Sequence, residues 1–337
     1  MKSPEPRYGS DEQGLVWAYS FRPGEAGEPI TGDEAARILS GKQGEESAFI
    51  WLHFSLSNAA AAPWMRENLA LPDAYFDDLN ETVGATRIEQ NENTLVAVVH
   101  DILFDFTFDP SAIATLRLCI GPRFMVSARM RPLRSVDRLR SSVRSGEPFR
   151  SPADMLGVLM TDQADVLVQV IRRTTGKVDK IEDSLLANRI SSNRKDLSNL
   201  RRTLVRLQRL LAPEPAALFR LLSRPPAWIS GPDLQELREA TEEFSTAVQD
   251  SIALTERIKI LQEELYALTT EHSNRTLFVL TLVTVLALPV NLVAGLFGMN
   301  VGGIPLAENQ AGFFIVVGIL VTVTTFLAVR ALGKWSD

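Results

Sequence analysis

The chain has one cysteine and three histidines among its 337 residues. Cys119 stands alone on a stretch that reads as a strand, which excludes a disulfide framework and a Cys-x-x-Cys metal cage and points to a buried core thiol. No phosphate-cradling glycine loop, nucleophile elbow or His-rich catalytic cluster is present, so no enzyme and no resident cofactor is expected. The net charge is −6 and no basic stripe is interleaved with aromatics, which argues against nucleic acid as a partner. The polar N-terminus (Lys2, Glu5, Arg7, Asp11, Glu12) lacks a signal-peptide pattern, so the large N-terminal part is expected in the cytosol.

Between Asp233 and Pro289 there is no proline, and no glycine occurs until Gly295. Taken as one helix to Phe297, about 65 residues would extend about 98 Å, roughly two thirds of it outside a bilayer. The soluble part of that helix keeps an apolar seam (Leu237, Phe244, Val248, Ile258, Leu265). It also carries acids from Glu236 to Glu271, read either as a solubilising face or as a cation-collecting one.

What is present falls into three parts. Residues 1–150 mix short apolar and aromatic runs (Leu15–Phe21, Ala48–Leu56, Thr94–Phe106, Ile113–Ile120, Arg123–Ala128) with helical spacing at Glu34–Leu39, Asn58–Leu69 and Pro72–Asn80, Asn58 standing as an N-cap. This predicts an α/β domain with a mixed sheet, closed by a basic helix over Pro132–Ser145. Its arginines 134, 138, 140 and 144 form a solvated face or a partner surface. Residues 151–275 turn wholly helical, with stripes over Asp154–Asn188 and Arg194–Leu211, prolines at 213, 215, 225 and 226 as punctuation, and a helix start at Gly231-Pro232-Asp233.

Residues 276–337 hold two apolar runs, 276–297 and 312–332, each about 20 residues long and so able to cross a bilayer core. The external loop 298–311 between them has three glycines, one proline and one acid, Glu308. Arg275 precedes the first run and Arg330 with Lys334 close the second, whereas the loop has no Lys or Arg. Both termini are therefore expected on the cytoplasmic side, with Trp335 as an interfacial anchor.

On the first run, Leu277, Thr281, Thr284, Leu288, Asn291 and Gly295 recur at alternating spacings of four and three and share one helical face. The opposite face is apolar (Val279, Val283, Val290, Val293). Polar groups at this depth either glue helices together or line a water-filled path. Pro289 removes one ladder donor and crowds the Val285 carbonyl, so a kink or a freed acceptor is expected there. Neither run carries Asp, Glu or His, so a path here must use hydroxyls, the Asn291 and Asn300 amides and backbone carbonyls. Neutral oxygens strip a divalent cation of its water only at great cost, which favours passage of ions with much of their hydration retained. A tight zinc site of imidazole and thiolate is not available in the membrane. Two spans with one polar stripe cannot enclose a pore alone, so a symmetric ring is required.

At Gly298-Met299-Asn300, at the outer end of the first of two C-terminal spans, the chain resembles the CorA superfamily of metal-ion transporters. The continuation Val301-Gly-Gly-Ile-Pro305 is similar to its zinc-transport branch, ZntB, rather than its magnesium branch. The resemblance covers the whole architecture. It implies an α+β membrane protein with a cytoplasmic α/β domain, a helical stalk and two transmembrane helices, assembled in the bacterial inner membrane as a funnel-shaped homopentamer. It implies zinc as the transported ion, Gly298, Met299 and Asn300 as the selectivity loop, the first span as the pore lining, and uptake coupled to protons. Where the magnesium branch has an acid after the loop proline, this chain has Leu306, and Glu308 is the nearest carboxylate. Coupling would have to use Glu308, the stalk carboxylates or His272, or else the protein is a passive channel. His53 and His100 are expected to be structural, and His272, on the pore helix, is the metal-ligand candidate. The competing readings are a magnesium, cobalt or nickel channel of the same build and a membrane scaffold that senses ions without conducting them.

Overall fold

The computed structural model describes residues 9–41, 48–80, 86–103, 112–187, 193–299, 303, 305 and 311–333. The chain divides into two compact units, Met1–Leu261 and Gln262–Asp337.

The first unit is built on a mixed sheet. Its strands are β1 (Leu15–Phe21), β3 (Glu28–Pro29), β4 (Phe49–Ser55), β5 (Arg87–Asn91), β6 (Thr94–Ile102), β7 (Ile113–Gly121) and β8 (Phe124–Arg129), in the order β3-β1-β4-β8-β7-β6-β5. Within it β4 and β8 run parallel, Trp51 opposite Met125 and His53 opposite Ser127, and the other neighbours are antiparallel. A two-stranded ribbon joins β2 (Glu25–Ala26) to β9 (Pro148–Phe149).

Alternation along the strands sends side chains to two separate cores, as the two-residue period of a strand requires. One face presents Trp17, Tyr19, Trp51, Leu95, Ala97, Leu118 and Ile120. It is closed by α4 (Arg134–Arg144), α5 (Pro152–Leu186), α7 (Pro213–Ser223) and the first turns of α8 (Gly231–Phe297), through Leu139, Met155, Leu159, Leu218 and Leu237. The other face presents Ile50, Leu52, Phe54, Val96, Cys119 and Val126 to α1 (Gly32–Leu39), α2 (Ala61–Asn68) and α3 (Asp73–Asn80). Cys119 is a buried core thiol, and burial pushes its pKa up to about 12. A third core lies among helices, where α5 (Ala164, Leu167, Val170), α6 (Asn193–Leu211; Leu207, Leu211) and α8 (Phe244, Val248) surround Ile102 at the end of β6.

Several sequence expectations shift. The helix placed at Asn58–Leu69 starts at Ala61, after an N-cap Ala60 that makes no side-chain cap bond. Asn58 instead folds the turn before it, accepting from the Ala60 amide at 3.0 Å and donating to the Asp11 carbonyl at 3.0 Å. Thr31 is the residue that caps, in a reciprocal box: the Glu34 amide donates to its hydroxyl at 3.3 Å and its own amide donates to the Glu34 carboxylate at 2.8 Å. Thr31→Ala is expected to cost about 1 kcal/mol, read as a lowered melting temperature of the purified chain. Prolines 213 and 215 punctuate the chain where α6 ends at Leu211, and they also open α7, where a missing amide proton costs nothing. The strand expected over Thr94–Phe106 runs to Ile102 and pairs at Leu103, and residues 104–106 lie outside the described residues.

In the second unit α8 continues unbroken through Pro289 to Phe297, and α9 (Gly312–Gly333) follows. Both are long and apolar enough to cross a membrane.

Candidate functional site

Every residue of the proposed stripe that precedes the loop lies on α8. Leu277 and Leu288 are 57% and 66% exposed, Thr281, Thr284, Asn291 and Gly295 are exposed, and nothing lies within 4 Å of a Cβ built on Gly295. Most of the valine face is exposed as well, with Val279 at 52% and Val283 at 59%, while Val293 is half-buried. A single chain therefore covers neither face, and apolar surface of this extent has to be covered by lipid or by further copies.

Two threonines of α8 spend their hydroxyl protons within the helix. Thr284 gives its hydroxyl proton to the Leu280 carbonyl at 2.8 Å, and Thr276 gives its proton to the His272 carbonyl at 3.0 Å. Such back-bonding consumes the donor and leaves oxygen lone pairs facing outward, the polarity that a cation requires. The last turn of α8 has no basic residue, so its end carbonyls keep the partial negative charge of a helix C-terminus next to the loop.

The helix closes at Gly298, whose amide donates to the Ala294 carbonyl at 3.0 Å, and at Met299, whose amide reaches Leu296 at 3.4 Å. A Cβ at Gly298 would press on the Ala294 oxygen at 3.1 Å. Gly303 has φ of +94°, a left-handed conformation that favours glycine. Met299 is 52% exposed. Asn300 and Glu308, and the anchors Lys334 and Trp335, lie outside the described residues.

The three histidines have distinct surroundings. His53 is fully buried and stacks on Trp17 at 4.2 Å between centroids. Arg129 Nε donates to its Nε2 at 2.8 Å, so the ring proton sits on Nδ1 and is shared with Ser127 Oγ at 2.7 Å. Ser127 also accepts from Trp51 Nε1 and donates to the Leu52 carbonyl. Burial, with Arg129 and Arg140 behind it, holds the His53 pKa well below the usual imidazole range. Its free lone pair is taken by a guanidinium, so it is a structural residue. His272 is exposed on α8. Among the described residues no three His, Cys, Asp or Glu side chains gather to hold a metal.

His100 belongs to a buried polar knot that the sequence did not signal. Among the described residues β5 pairs with β6 from Thr94 to Val98, and at residue 100 two helices supply the partners. The His100 amide donates to Glu214 Oε1 at 2.5 Å and its carbonyl accepts from Gln163 Nε2 at 3.3 Å. Side chains from α7 and α5 thus take up both backbone polar groups of residue 100. Burial raises Glu214 to about 7, opposed by its bonds to His100. Next along β6, Asp101 takes the Ser135 amide and hydroxyl at the start of α4, and burial raises it to about 6.

The first unit is a mixed sheet clothed in helices, and two helices, the first of 67 residues, are long and apolar enough to cross a membrane. Residues 46–332 match the family of CorA-like Mg2+ transporter proteins. The chain belongs to that family. It is 28% identical to the divalent cation transporter CmaX of Pseudomonas aeruginosa, over 94% of this chain and 95% of that one. It is 26% identical to the zinc transport protein ZntB of Yersinia enterocolitica, over 78% and 80%. The solved structure of full-length CmaX superposes with a TM-score of 0.82 at 26% identity, covering 96% of this chain and 99% of that one.

Proposed function

We propose that this chain carries a divalent cation, zinc before magnesium, into the cell across the bacterial inner membrane, as a ring of five copies with both termini cytoplasmic. Hydrated ions pass from a mouth formed by Gly298, Met299 and Asn300 along Gly295, Asn291, Leu288, Thr284, Thr281 and Leu277 of each copy. The observation that carries this reading is the exposed Thr/Asn face of α8, on which Thr284 spends its proton on Leu280 and keeps its oxygen free to accept. Glu308 draws cations to the mouth. With no acid in the spans, proton coupling falls to Glu308, the stalk carboxylates or His272.

A second reading, a transporter of broader divalent selectivity, is favoured by the CmaX relative, which aligns with more of the chain than ZntB does. Both are tested with purified protein in liposomes, measuring uptake of zinc, magnesium, cobalt and nickel with and without a pH gradient, acid outside. Zinc uptake faster than magnesium uptake by about tenfold, accelerated by the gradient, is expected; a factor of ten corresponds to about 1.4 kcal/mol between barriers. Equal rates for all four metals would move the assignment to the broader reading. Absence of flux for every metal would leave an ion-sensing scaffold.

A further inference from the structure

Charge is segregated between two helices of the first unit. Helix α6 carries six basic residues and one acid, Asp196. Helix α8 between Gly231 and Leu261 carries seven acids and three bases. The two helices pack side by side through Leu207, Leu211, Phe244 and Val248, with Gln208 Nε2 donating to the Ser251 carbonyl and to Thr255 Oγ1 at 2.7 Å each. Their charged residues turn outward. On α6, Arg202, Arg206 and Arg209 are exposed and share one face with Val205, itself 45% exposed. On α8, Glu242, Glu243 and Asp250 are exposed.

These charges do not satisfy one another within the chain. The described ion pairs of α8 with α5 run the other way, Arg257 of α8 holding Asp179 and Glu182 of α5. No described ion pair engages Arg202, Arg206 or Arg209, nor Glu242, Glu243 or Asp250. The chain thus presents two different surfaces of opposite sign, the basic one with Val205 exposed among its arginines. Complementary charge of this kind is what two docking surfaces of one interface carry.

We infer that the basic face of α6 in one copy docks on the acidic face of α8 in the next. This rests on the ring proposed above and names the contact that would close it. Two unlike surfaces of one chain that fit each other make a head-to-tail contact, and such contacts close into rings when the rotation permits. Opposite signs also set the direction of assembly, because α6 against α6 or α8 against α8 brings like charges together. Arg202, Arg206 and Arg209 of one copy meet Glu242, Glu243 and Asp250 of the next, with Val205 lying among the arginines.

The test uses the full chain in detergent, with assembled mass read by light scattering at low and high salt. R202E/R206E and E242R/E243R are each expected to raise the concentration for half-assembly about tenfold at low salt. The variant carrying all four changes is expected to regain the wild-type mass, since the pairs are restored with signs exchanged. Circular dichroism checks folding. Should the reversals disturb it, the neutral pair R202Q/R206Q decides, and is expected to make assembly weaker and less sensitive to salt. Wild-type mass in all variants at both salts would overturn the inference, as would a fourfold variant no better than either pair. Wild-type mass with loss of binding to phosphatidylglycerol vesicles in R202E/R206E would assign the face to lipid instead. A wild-type ring that passes no cation sinks the transport reading and leaves this contact standing.

Discussion

Asn291→Leu is expected to cut cation uptake by the reconstituted protein at least about tenfold, with the assembled mass unchanged. Leucine has the same number and branching of side-chain heavy atoms as asparagine, so the shape is kept at somewhat greater bulk while the one amide in the interior of the span is lost. Next to Leu288, one turn away, it would extend an apolar girdle around the path, and apolar constrictions close pores by expelling water. The cation would lose a ligand and the water that carries it in the same place. Val290→Leu, on the adjoining apolar side of α8, serves as the control and is expected to leave uptake within about twofold. Equal losses from both substitutions would show that the span responds to bulk and not to polarity, and the assignment of the stripe as the path would fall.

Glu214→Gln is expected to stabilise the protein in a way that depends on pH. Glu214 is fully buried, and its pKa is raised from 4.5 to about 7, chiefly by burial. The folded chain therefore holds a proton that the unfolded chain releases, so stability is greatest below pH 4.5, falls as pH rises, and the whole penalty is present above pH 7. A shift of this size corresponds to about 3 kcal/mol. Glutamine keeps an oxygen for the His100 amide and never ionises, so the variant is expected to melt about 6–12 °C above the wild type at pH 8. At pH 4 the difference should vanish. Asp101, the next acid on β6 and also raised, adds a fall of the same sign between about pH 4 and 6 in both proteins, which the comparison cancels. A uniform shift at every pH would mean that Glu214 acts through packing, not through its charge.

The parts of the fold that were legible are those where one residue pattern decides the element. Leu15–Phe21 came out as β1 residue for residue, and the leucine stripe of α6 from Leu197 to Leu211 marked a buried face that the structure shows. Strand β5, Arg87–Asn91, was not legible, because an edge strand of RIEQN has no apolar alternation to detect. Prolines 213 and 215 hid α7, since the residue that breaks a helix interior also favours its first turn. The parallel pairing of β4 with β8 is beyond any local pattern: the partners lie about 75 residues apart and neither strand names the other. The same is true of Glu214 and His100, separated by 114 positions. The Thr/Asn face of α8 was fully readable from spacing, whereas its exposure, which demands an outside cover, needed coordinates.

The order in which the chain is made gives the sheet a period of danger. Trp17, Trp51 and Leu118 are all synthesised by the end of β8 at Arg129, yet the face that they share is covered in part by Leu237 and Ala240 of α8. At common rates of translation, about 110 further residues take about 5–20 s. Throughout that interval a nascent chain offers an aromatic, half-covered sheet to its surroundings, and the first apolar span leaves the ribosome only after the cover has arrived.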